Sequence, residues 1–334
     1  MSDHTDVYDL YVANRASALI VVGVRLGLFD ALAEPHSLAD ITQRFELSPR
    51  GVSALVTGLH ALHLVRPTPA GWVRTDRAAS TLSSAPGSLA GLIDIDFEHF
   101  ITPAGLLDAM RTGEMRAYGD ADVWRTHAAD PAMAARFTAA MHSISQRPAD
   151  ALADQTEELG ACRTLLDVGG GSGIYLLAAL RRWPQLHGTV LDLPTVIPET
   201  RRVLDEGGVG DRGHAIGGDM FEPLPQGHDA ILYAQILHDW PEEACARLLA
   251  RAYEALPPGG VVLVSEKLLA EDRSGPWATA MVDIDMLFWT EGRQCDVGQV
   301  RELLRVAGFV DVETRPSVDY WSVVVGRKAP RAPR

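Results

Sequence analysis

The sequence has few cysteines and no excess of basic residues. The three cysteines, Cys162, Cys245 and Cys295, lie far apart and lack the spacing of a metal site. Free thiols are typical of a reducing compartment, so we expect a cytoplasmic protein without a structural metal. The 44 Asp and Glu residues outnumber the 30 Lys and Arg residues, which gives a formal net charge of −14. Because phosphate backbones are bound by basic faces, this balance argues against nucleic-acid binding.

Long apolar runs are also missing. The longest, ALIVVGV at 18–24, is too short to span a bilayer, and the N-terminal MSDHTDVYDLYVANR has no basic segment followed by an apolar one. We therefore expect neither a membrane span nor a signal peptide. Hydrophobic residues still make up 47% of the 334 residues, which is enough for more than one domain.

Residues 1–150 are predicted to form a helical domain. The segment 16–33 is apolar on nearly all sides, which predicts burial from several directions. Ser37 and the pair Ser48-Pro49 each begin a further helix, and two short extended runs at 65–78 predict a hairpin.

Helix, turn, helix and hairpin is the order of a winged helix, which raises the possibility of DNA binding. The second helix, PRGVSALVTGLHALH, offers Arg50 and two histidines among small or apolar residues, too few groups to reach base edges. We therefore interpret this module as a packing or dimerisation unit, and we predict a homodimer through residues 8–80.

Residues 151–334 have a different sequence pattern, in which short apolar runs alternate with helical stretches. This alternation predicts an α/β fold, a mostly parallel doubly wound sheet with helices on both faces. Ligands of such sheets bind beyond the carboxyl ends of the strands, so each strand end is a candidate site.

The first three strand ends favour a cofactor that contains a nucleoside. LLDVGGGSG places Asp167 before a glycine turn, and its glycine spacing departs from the dinucleotide pattern, which disfavours a nicotinamide-dependent oxidoreductase. VLDLP ends in Asp192, whose carboxylate can accept two hydrogen bonds from a ribose diol. GDMF provides Asp219 and Met220, a carboxylate and a flexible thioether suited to the amine and face of an adenine.

Two further strand ends carry acid–base groups. The run YAQILHDW ends in His238, Asp239 and Trp240, and VVLVSEKLL delivers Glu266. We expect Asp239 to cap the helix that Pro241 opens. A neutral histidine at a strand end can act as a general base.

In order, LLDVGGGSG, LDLP, GDMF, LHDW, LVSE and LLRVAGF resemble the S-adenosylmethionine-dependent O-methyltransferases of the plant caffeate and acetylserotonin type, along nearly the whole chain. The resemblance implies a Rossmann-like class I methyltransferase domain that follows a helical, winged-helix-type dimerisation domain. It implies S-adenosyl-L-methionine as the cofactor, a small aromatic acceptor, and His238 as general base oriented by Glu266. The implied cofactor-binding residues are Asp167, Gly169, Gly171, Asp192, Leu193, Asp219, Met220, Phe221, Gln235, Trp240, Ser145 and Met141.

The acceptor pocket is assigned from helical spacing and the same resemblance. Its expected lining is Phe97, Phe100, Met110, Met286, Phe288 and Trp289, which favours a flat apolar acceptor. The resemblance implies that this acceptor belongs to secondary metabolism.

Two neighbouring positions depart from the family. FWTEGRQCDVG carries Gln294 and Cys295 where the family has Glu and Arg, so the second acidic partner that the resemblance implies for His238 is an amide here. An amide can hydrogen-bond to an imidazole but cannot stabilise an imidazolium by charge. C- or N-methylation of an aromatic or indole acceptor therefore stays open beside O-methylation, and an S-adenosylmethionine-sensing DNA-binding regulator is the alternative from another class.

Overall fold

The N-terminal helices begin where serine side chains cap them, as the sequence predicts. This computed structural model describes residues 3–85, 87–115, 117, 118 and 123–330, and the chain forms two compact units, Met1–Phe100 and Ile101–Arg334. The first unit contains α1 (Asp3–Arg25), α2 (Leu28–Ala31), α3 (Leu38–Arg44), α4 (Pro49–Ala61), β1 (Val65–Thr68), β2 (Gly71–Arg74), α5 (Asp76–Thr81) and α6 (Ala90–His99).

Local sequence explains these boundaries. Ser37 Oγ accepts a hydrogen bond from the Asp40 backbone N–H at 3.1 Å, and the Asp40 carboxylate accepts one from Ser37 N at 3.0 Å. This reciprocal capping box starts α3. Ser48 Oγ accepts from Gly51 N at 3.1 Å, and Pro49 occupies the first turn of α4. Strands β1 and β2 pair antiparallel, which confirms the predicted hairpin.

Helix α1 corrects the expectation that segment 16–33 is buried from several directions. The helix ends at Arg25, and Gly27, with φ +64°, separates it from α2. One side of α1 packs against α4 and α6, while Ala18 and Val22 on other sides are exposed. The apolar surface of α1 is therefore larger than the part that the first unit buries.

The first turns of α1 expose large apolar side chains. Val7, Tyr8, Leu10 and Tyr11 have relative exposures of 67%, 58%, 64% and 61%. Within α1, Thr5–Arg25 is long and apolar enough to cross a membrane by length and composition alone, a property that the short uninterrupted runs of the sequence do not reveal. Core helices of soluble proteins and signal sequences meet the same criterion.

The second unit carries the sheet. It contains α7 (Pro103–Thr112), α8 (Val123–Ala129), α9 (Pro131–Gln155), β3 (Thr164–Val168), α10 (Ile174–Arg182), β4 (His187–Asp192), α11 (Ile197–Glu206), β5 (Gly213–Gly217), β6 (Ala230–Ala234), α12 (Glu242–Ala255), β7 (Val261–Lys267), α13 (Trp277–Trp289), α14 (Val297–Val306), β8 (Val310–Pro316) and β9 (Trp321–Arg327). The strand order is β5-β4-β3-β6-β7-β9-β8.

The predicted doubly wound sheet is confirmed. Strands β3 to β7 run parallel, and β9 is antiparallel to both β7 and β8. Alternate residues of the central strands enter different cores, with Leu165 on the side of α9 and α10 and Leu166 on the side of α12 and α14. Because the five parallel strands end at one edge, the fold brings their carboxyl ends together.

Two features differ from the sequence-based expectations. Strand β8 is not predicted, because VDVETRP is a polar edge strand with little apolar character. The compact units also divide after Phe100 rather than near residue 150. The reason is that α9 packs along α10, so the helices from 103 onward belong to the sheet unit by packing.

Candidate active site

A buried carboxylate organises the ends of two adjacent strands. Strand β7 delivers Glu266, which is 2% exposed. Its Oε1 accepts hydrogen bonds from the backbone N–H groups of Ile236 and Leu237, each at 3.0 Å, and its Oε2 lies 2.6 Å from His238 Nδ1. One side chain from β7 therefore fixes both the backbone that follows β6 and the imidazole that this backbone carries.

The imidazole of His238 lies between two carboxylates. Its Nε2 is 3.5 Å from Asp239 Oδ1, on the side opposite Glu266. Burial lowers the pKa of His238, but the charges of Glu266 and Asp239 raise it by more, so the pKa lies above the ordinary histidine value. Burial raises the pKa of Asp239 to about 6, which His238 opposes and Glu266 reinforces.

Asp239 does not cap the following helix, and the expectation that it does is wrong. The N-cap of α12 is Pro241, without a side-chain capping bond. Asp239 lies in a 3₁₀ turn, Leu237–Asp239, that separates β6 from α12, and this turn directs its carboxylate toward the imidazole instead. Its role is therefore electrostatic.

Gln294 is buried but is not hydrogen-bonded to the imidazole of His238. The residue is 1% exposed, and its backbone N–H donates to Asp283 Oδ1 at 2.7 Å. Neither Oε1 nor Nε2 of Gln294 has a hydrogen-bond partner within the described part of the chain. Glu266 and Asp239, rather than Gln294, are the groups that surround His238.

The glycine turn after β3 adopts a conformation that glycine favours. Gly169 and Gly171 have φ values of +65° and +55°. A Cβ at Gly169 would lie 2.4 Å from Ile236 Cδ1, so the turn also passes close to the end of β6. Asp192, at the end of β4, accepts hydrogen bonds from the N–H groups of Gly171 and Leu193, both at 2.7 Å. Burial raises the pKa of Asp192, and these two N–H groups oppose the shift.

Asp167 is a buried carboxyl group without a hydrogen-bond partner among the described residues. The residue is fully buried at the end of β3, and neither oxygen has a hydrogen-bond partner among the described residues. Burial, with the nearby charge of Asp192, raises the pKa of Asp167 to about 7. Such a group indicates a site that a cationic ligand can complete, because leaving it alone costs free energy.

The third strand end forms an aromatic wall. Asp219 is exposed, and its Oδ1 accepts a hydrogen bond from Phe221 N at 2.8 Å. The ring of Phe221 meets Trp240 edge to face, with centroids 4.8 Å apart, and half-buried Met220 packs against the same core. The residues predicted to hold an adenine are therefore brought together here.

Helix α9 contacts the end of β6. Ser145 Oγ accepts a hydrogen bond from Gln235 Nε2 at 2.7 Å. Gln235 has a φ of +57°, an uncommon conformation for a residue with a side chain, and such conformations are concentrated at functional sites. Met141 is half-buried on the same helix.

The predicted acceptor pocket is only partly assembled within one unit. Met286 and Phe288 are buried on α13, and Phe288 packs in a cluster with Trp289 and Tyr118. Met110 is 56% exposed on α7. Phe97 and Phe100 belong to the N-terminal unit, where the Arg25 guanidinium lies 4.7 Å from the centroid of the Phe97 ring.

A group of aromatic contacts beside this cluster is not predicted from the sequence. Tyr118 contacts Trp289 edge to face at 5.5 Å, and its hydroxyl lies 3.0 Å from His127 Nε2. Trp124 stacks on Trp240 with centroids 6.0 Å apart. The only signal in the sequence is the aromatic content of YGDADVWRTH, which has no regular spacing.

The geometry of the strand ends agrees with the proteins to which the chain is similar. Residues 104–310 match the family model of the O-methyltransferase domain, and the chain belongs to this family. It is 33% identical to 3-hydroxy-5-methyl-1-naphthoate 3-O-methyltransferase of Streptomyces sahachiroi over 88% of this chain and 86% of that protein. It is 30% identical to acetylserotonin O-methyltransferase of Gallus gallus over 93% of this chain and 94% of that protein.

A solved structure confirms the fold class. Human N-acetylserotonin methyltransferase in complex with S-adenosylmethionine superimposes with a TM-score of 0.89 at 24% identity, over 98% of both chains. The protein is therefore an S-adenosylmethionine-dependent methyltransferase with the class I fold.

The strand ends fit this cofactor. S-adenosylmethionine carries two cationic groups, and the buried Asp167 carboxyl group is without a partner in the described structure. A Cβ at Gly170 would lie 2.5 Å from Asp167 Oδ2, so the turn leaves no space for a side chain. Each oxygen of Asp192 accepts one backbone N–H and retains a lone pair for a ribose hydroxyl.

Replacing Asp192 with Ala is expected to weaken cofactor binding by about 1.5–3 kcal/mol, the range for hydrogen bonds to a charged group. The substitution removes the diol acceptor and releases Gly171 N. Titration calorimetry with S-adenosylhomocysteine measures the effect, with Asp211→Ala, an exposed carboxylate on the loop before β5, as the control. Wild-type affinity in Asp192→Ala would remove this carboxylate from the site.

Proposed function

We propose that the chain transfers a methyl group from S-adenosylmethionine to a hydroxyl of a small aromatic acceptor, with His238 as general base. The observation that carries the proposal is the 2.6 Å contact between His238 Nδ1 and Glu266. With Nδ1 engaged by a carboxylate, Nε2 is the nitrogen left to take a proton. The names of the relatives support the acceptor class, because hydroxynaphthoate and acetylserotonin are aromatic hydroxyl compounds.

The bound cofactor supplies a methyl group activated by a sulfonium charge. The chain has to provide a deprotonated acceptor oxygen, since a phenolic hydroxyl has a pKa near 10 and is a poor nucleophile when protonated. The raised pKa of His238 makes its imidazole a stronger base than an ordinary histidine. Glu266 holds the tautomer, and Asp239 stabilises the imidazolium that forms.

Gln294 bears on which atom is methylated. The family's second acid is an amide here, yet the imidazole keeps two carboxylate neighbours, Glu266 and Asp239. Two charges are enough to stabilise an imidazolium, which favours oxygen as the acceptor. Carbon or nitrogen methylation would need little or no deprotonation, so product analysis after transfer of a labelled methyl group separates the two cases.

Within the second unit, the buried Met286 and Phe288 and the neighbouring Trp289 support the predicted lining for a flat apolar acceptor. A relative of Streptomyces glaucescens that is named for tetracenomycin polyketide synthesis supports an aromatic secondary metabolite, with antibiotic biosynthesis as the setting. The scattered charge of −14 and three free cysteines favour a soluble cytoplasmic enzyme without a nucleic-acid or membrane partner. In this arrangement residues 8–80 supply dimerisation, and the strand ends of the second unit, together with Ser145 and Met141 of α9, bind the cofactor.

Replacing His238 with Ala is expected to lower the turnover number by about 10²–10⁴, the usual contribution of a general base. Cofactor affinity should hardly change, because the described contacts of His238 are with Glu266 and Asp239 rather than with the glycine turn. Steady-state kinetics at saturating substrates measures the loss. His228→Ala, a half-buried histidine before β6, is the matched control.

The pH profile of the wild type should rise through one ionisation above the ordinary histidine pKa, because the raised pKa keeps His238 protonated to higher pH. Glu266→Gln removes a charge that raises this pKa, so its midpoint should move to lower pH. If His238→Ala retained most of the wild-type turnover, the base assignment would be wrong.

We also propose a twofold homodimer through residues 8–80, with an interface above about 2,000 Å², the range of obligate dimers. The exposed side chains of Tyr8, Leu10 and Tyr11 support it, because an apolar helix face of this kind is costly to leave in water.

Light scattering at micromolar concentration should report a dimer for the wild type and a monomer for the double substitution Leu10→Glu, Tyr11→Glu. Val306→Glu, which changes a 71% exposed side chain on α14, should leave the dimer intact. A monomeric wild-type protein would refute the proposal.

A further inference from the structure

Three side chains from three different elements hold the glycine turn in the sheet unit. Asp192, at the end of β4, accepts from Gly171 N at 2.7 Å. Thr200, on α11, donates its hydroxyl hydrogen to Gly171 O at 2.6 Å. The third contact comes from α9, where His142 Nδ1 lies 2.8 Å from Ser172 Oγ. The first two contacts are with backbone atoms of the turn. The third is with Ser172, which is the one residue among 169–173 that is not glycine.

The protonation of His142 follows from its partners. Gln146 Nε2, an amide nitrogen that only donates, lies 3.1 Å from His142 Nε2. His142 Nε2 is therefore the acceptor, and Nδ1 carries the hydrogen that it donates to Ser172. Burial lowers the pKa of His142, an effect that Glu199 opposes and Arg202 reinforces, which is consistent with a neutral ring.

Helix α9 bonds to two strand ends through neighbouring positions. His142 reaches the turn after β3, and Ser145, three residues later on the same helix face, accepts from Gln235 at the end of β6. Ser172 is 3% exposed and Ser145 is 4% exposed, so both bonds are shielded from water. A hydrogen bond in such surroundings is costly to break, because its partners are not resolvated.

We propose that His142 is a positioning residue that holds the glycine turn, through Ser172, in the shape that binds the cofactor. The inference rests on the assignment of this turn to S-adenosylmethionine and is independent of the acceptor and of the base. Because the bond already holds the turn in the free protein, less ordering of the turn remains when the cofactor binds, so its effect appears in cofactor affinity rather than in the chemical step.

A double-mutant cycle on cofactor affinity tests the bond. His142→Phe keeps an aromatic ring at this position and removes both nitrogens, and Ser172→Ala removes the hydroxyl. Each should weaken binding of S-adenosylhomocysteine by about 3- to 10-fold, the effect of one neutral hydrogen bond, and the double variant should bind no worse than the weaker single. The turnover number at saturating cofactor should stay within about threefold of wild type, since a positioning role acts on affinity.

His142→Gln should restore most of the affinity, because its amide nitrogen can donate to Ser172 Oγ. Asp150→Ala, at an exposed site on the same helix, is the control for general effects on α9. Single effects that multiply in the double variant, or unchanged affinity in Ser172→Ala, would overturn the inference. Should His142→Phe fail to fold, Ser172→Ala and His142→Gln still decide it. Wild-type protein that binds no S-adenosylhomocysteine would instead refute the cofactor assignment.

Discussion

The carboxylate of Glu266 is the group on which the candidate site depends. It accepts hydrogen bonds from two buried backbone N–H groups and lies 2.6 Å from the imidazole nitrogen Nδ1 of His238. Without it, the N–H groups of Ile236 and Leu237 would lose their bonds, at a cost of about 1–3 kcal/mol each. The same side chain sets the path of the backbone after β6, the tautomer of the histidine and the direction of its pKa shift.

The cofactor side of the site is linked to this carboxylate through the end of β6. The backbone N–H of Ile236 donates to Glu266, and the Cδ1 of Ile236 lies where a Cβ on Gly169 would clash. The neighbouring Gln235 donates a hydrogen bond to Ser145. The positive φ of Gln235 is a strained backbone conformation, which these contacts hold in place. A methyl-transfer site needs donor and acceptor held in line, and shared backbone at one strand end supplies that rigidity.

Much of the site follows from the sequence because strand ends can be located from local patterns. Asp167, Asp192, Asp219, His238 and Glu266 each terminate or follow a short apolar run, and a parallel sheet gathers such positions at one edge. Helix starts at Ser37 and Ser48 are equally local, since each cap bonds within three residues. These predictions need no knowledge of distant packing.

The remaining features depend on tertiary contacts. Asp239 could be assigned to a helix cap from sequence, but a 3₁₀ turn directs it to the imidazole. The contacts of Tyr118, Trp124 and His127 with α13, Trp240 and α9 have no periodicity to reveal them. The exposure of α1 likewise depends on what packs around it, which composition does not specify. Local patterns thus locate the chemistry, and packing decides which groups surround it.

The most direct test of the account is ¹⁵N nuclear magnetic resonance of protein labelled at histidine, recorded above the pH at which His238 titrates, with His238→Ala used to assign the resonance. The account predicts a proton on Nδ1, facing Glu266, and a bare Nε2 available to an acceptor. A neutral ring that carries its proton on Nε2 would contradict it, because the nitrogen assigned to take the acceptor's proton would already be occupied.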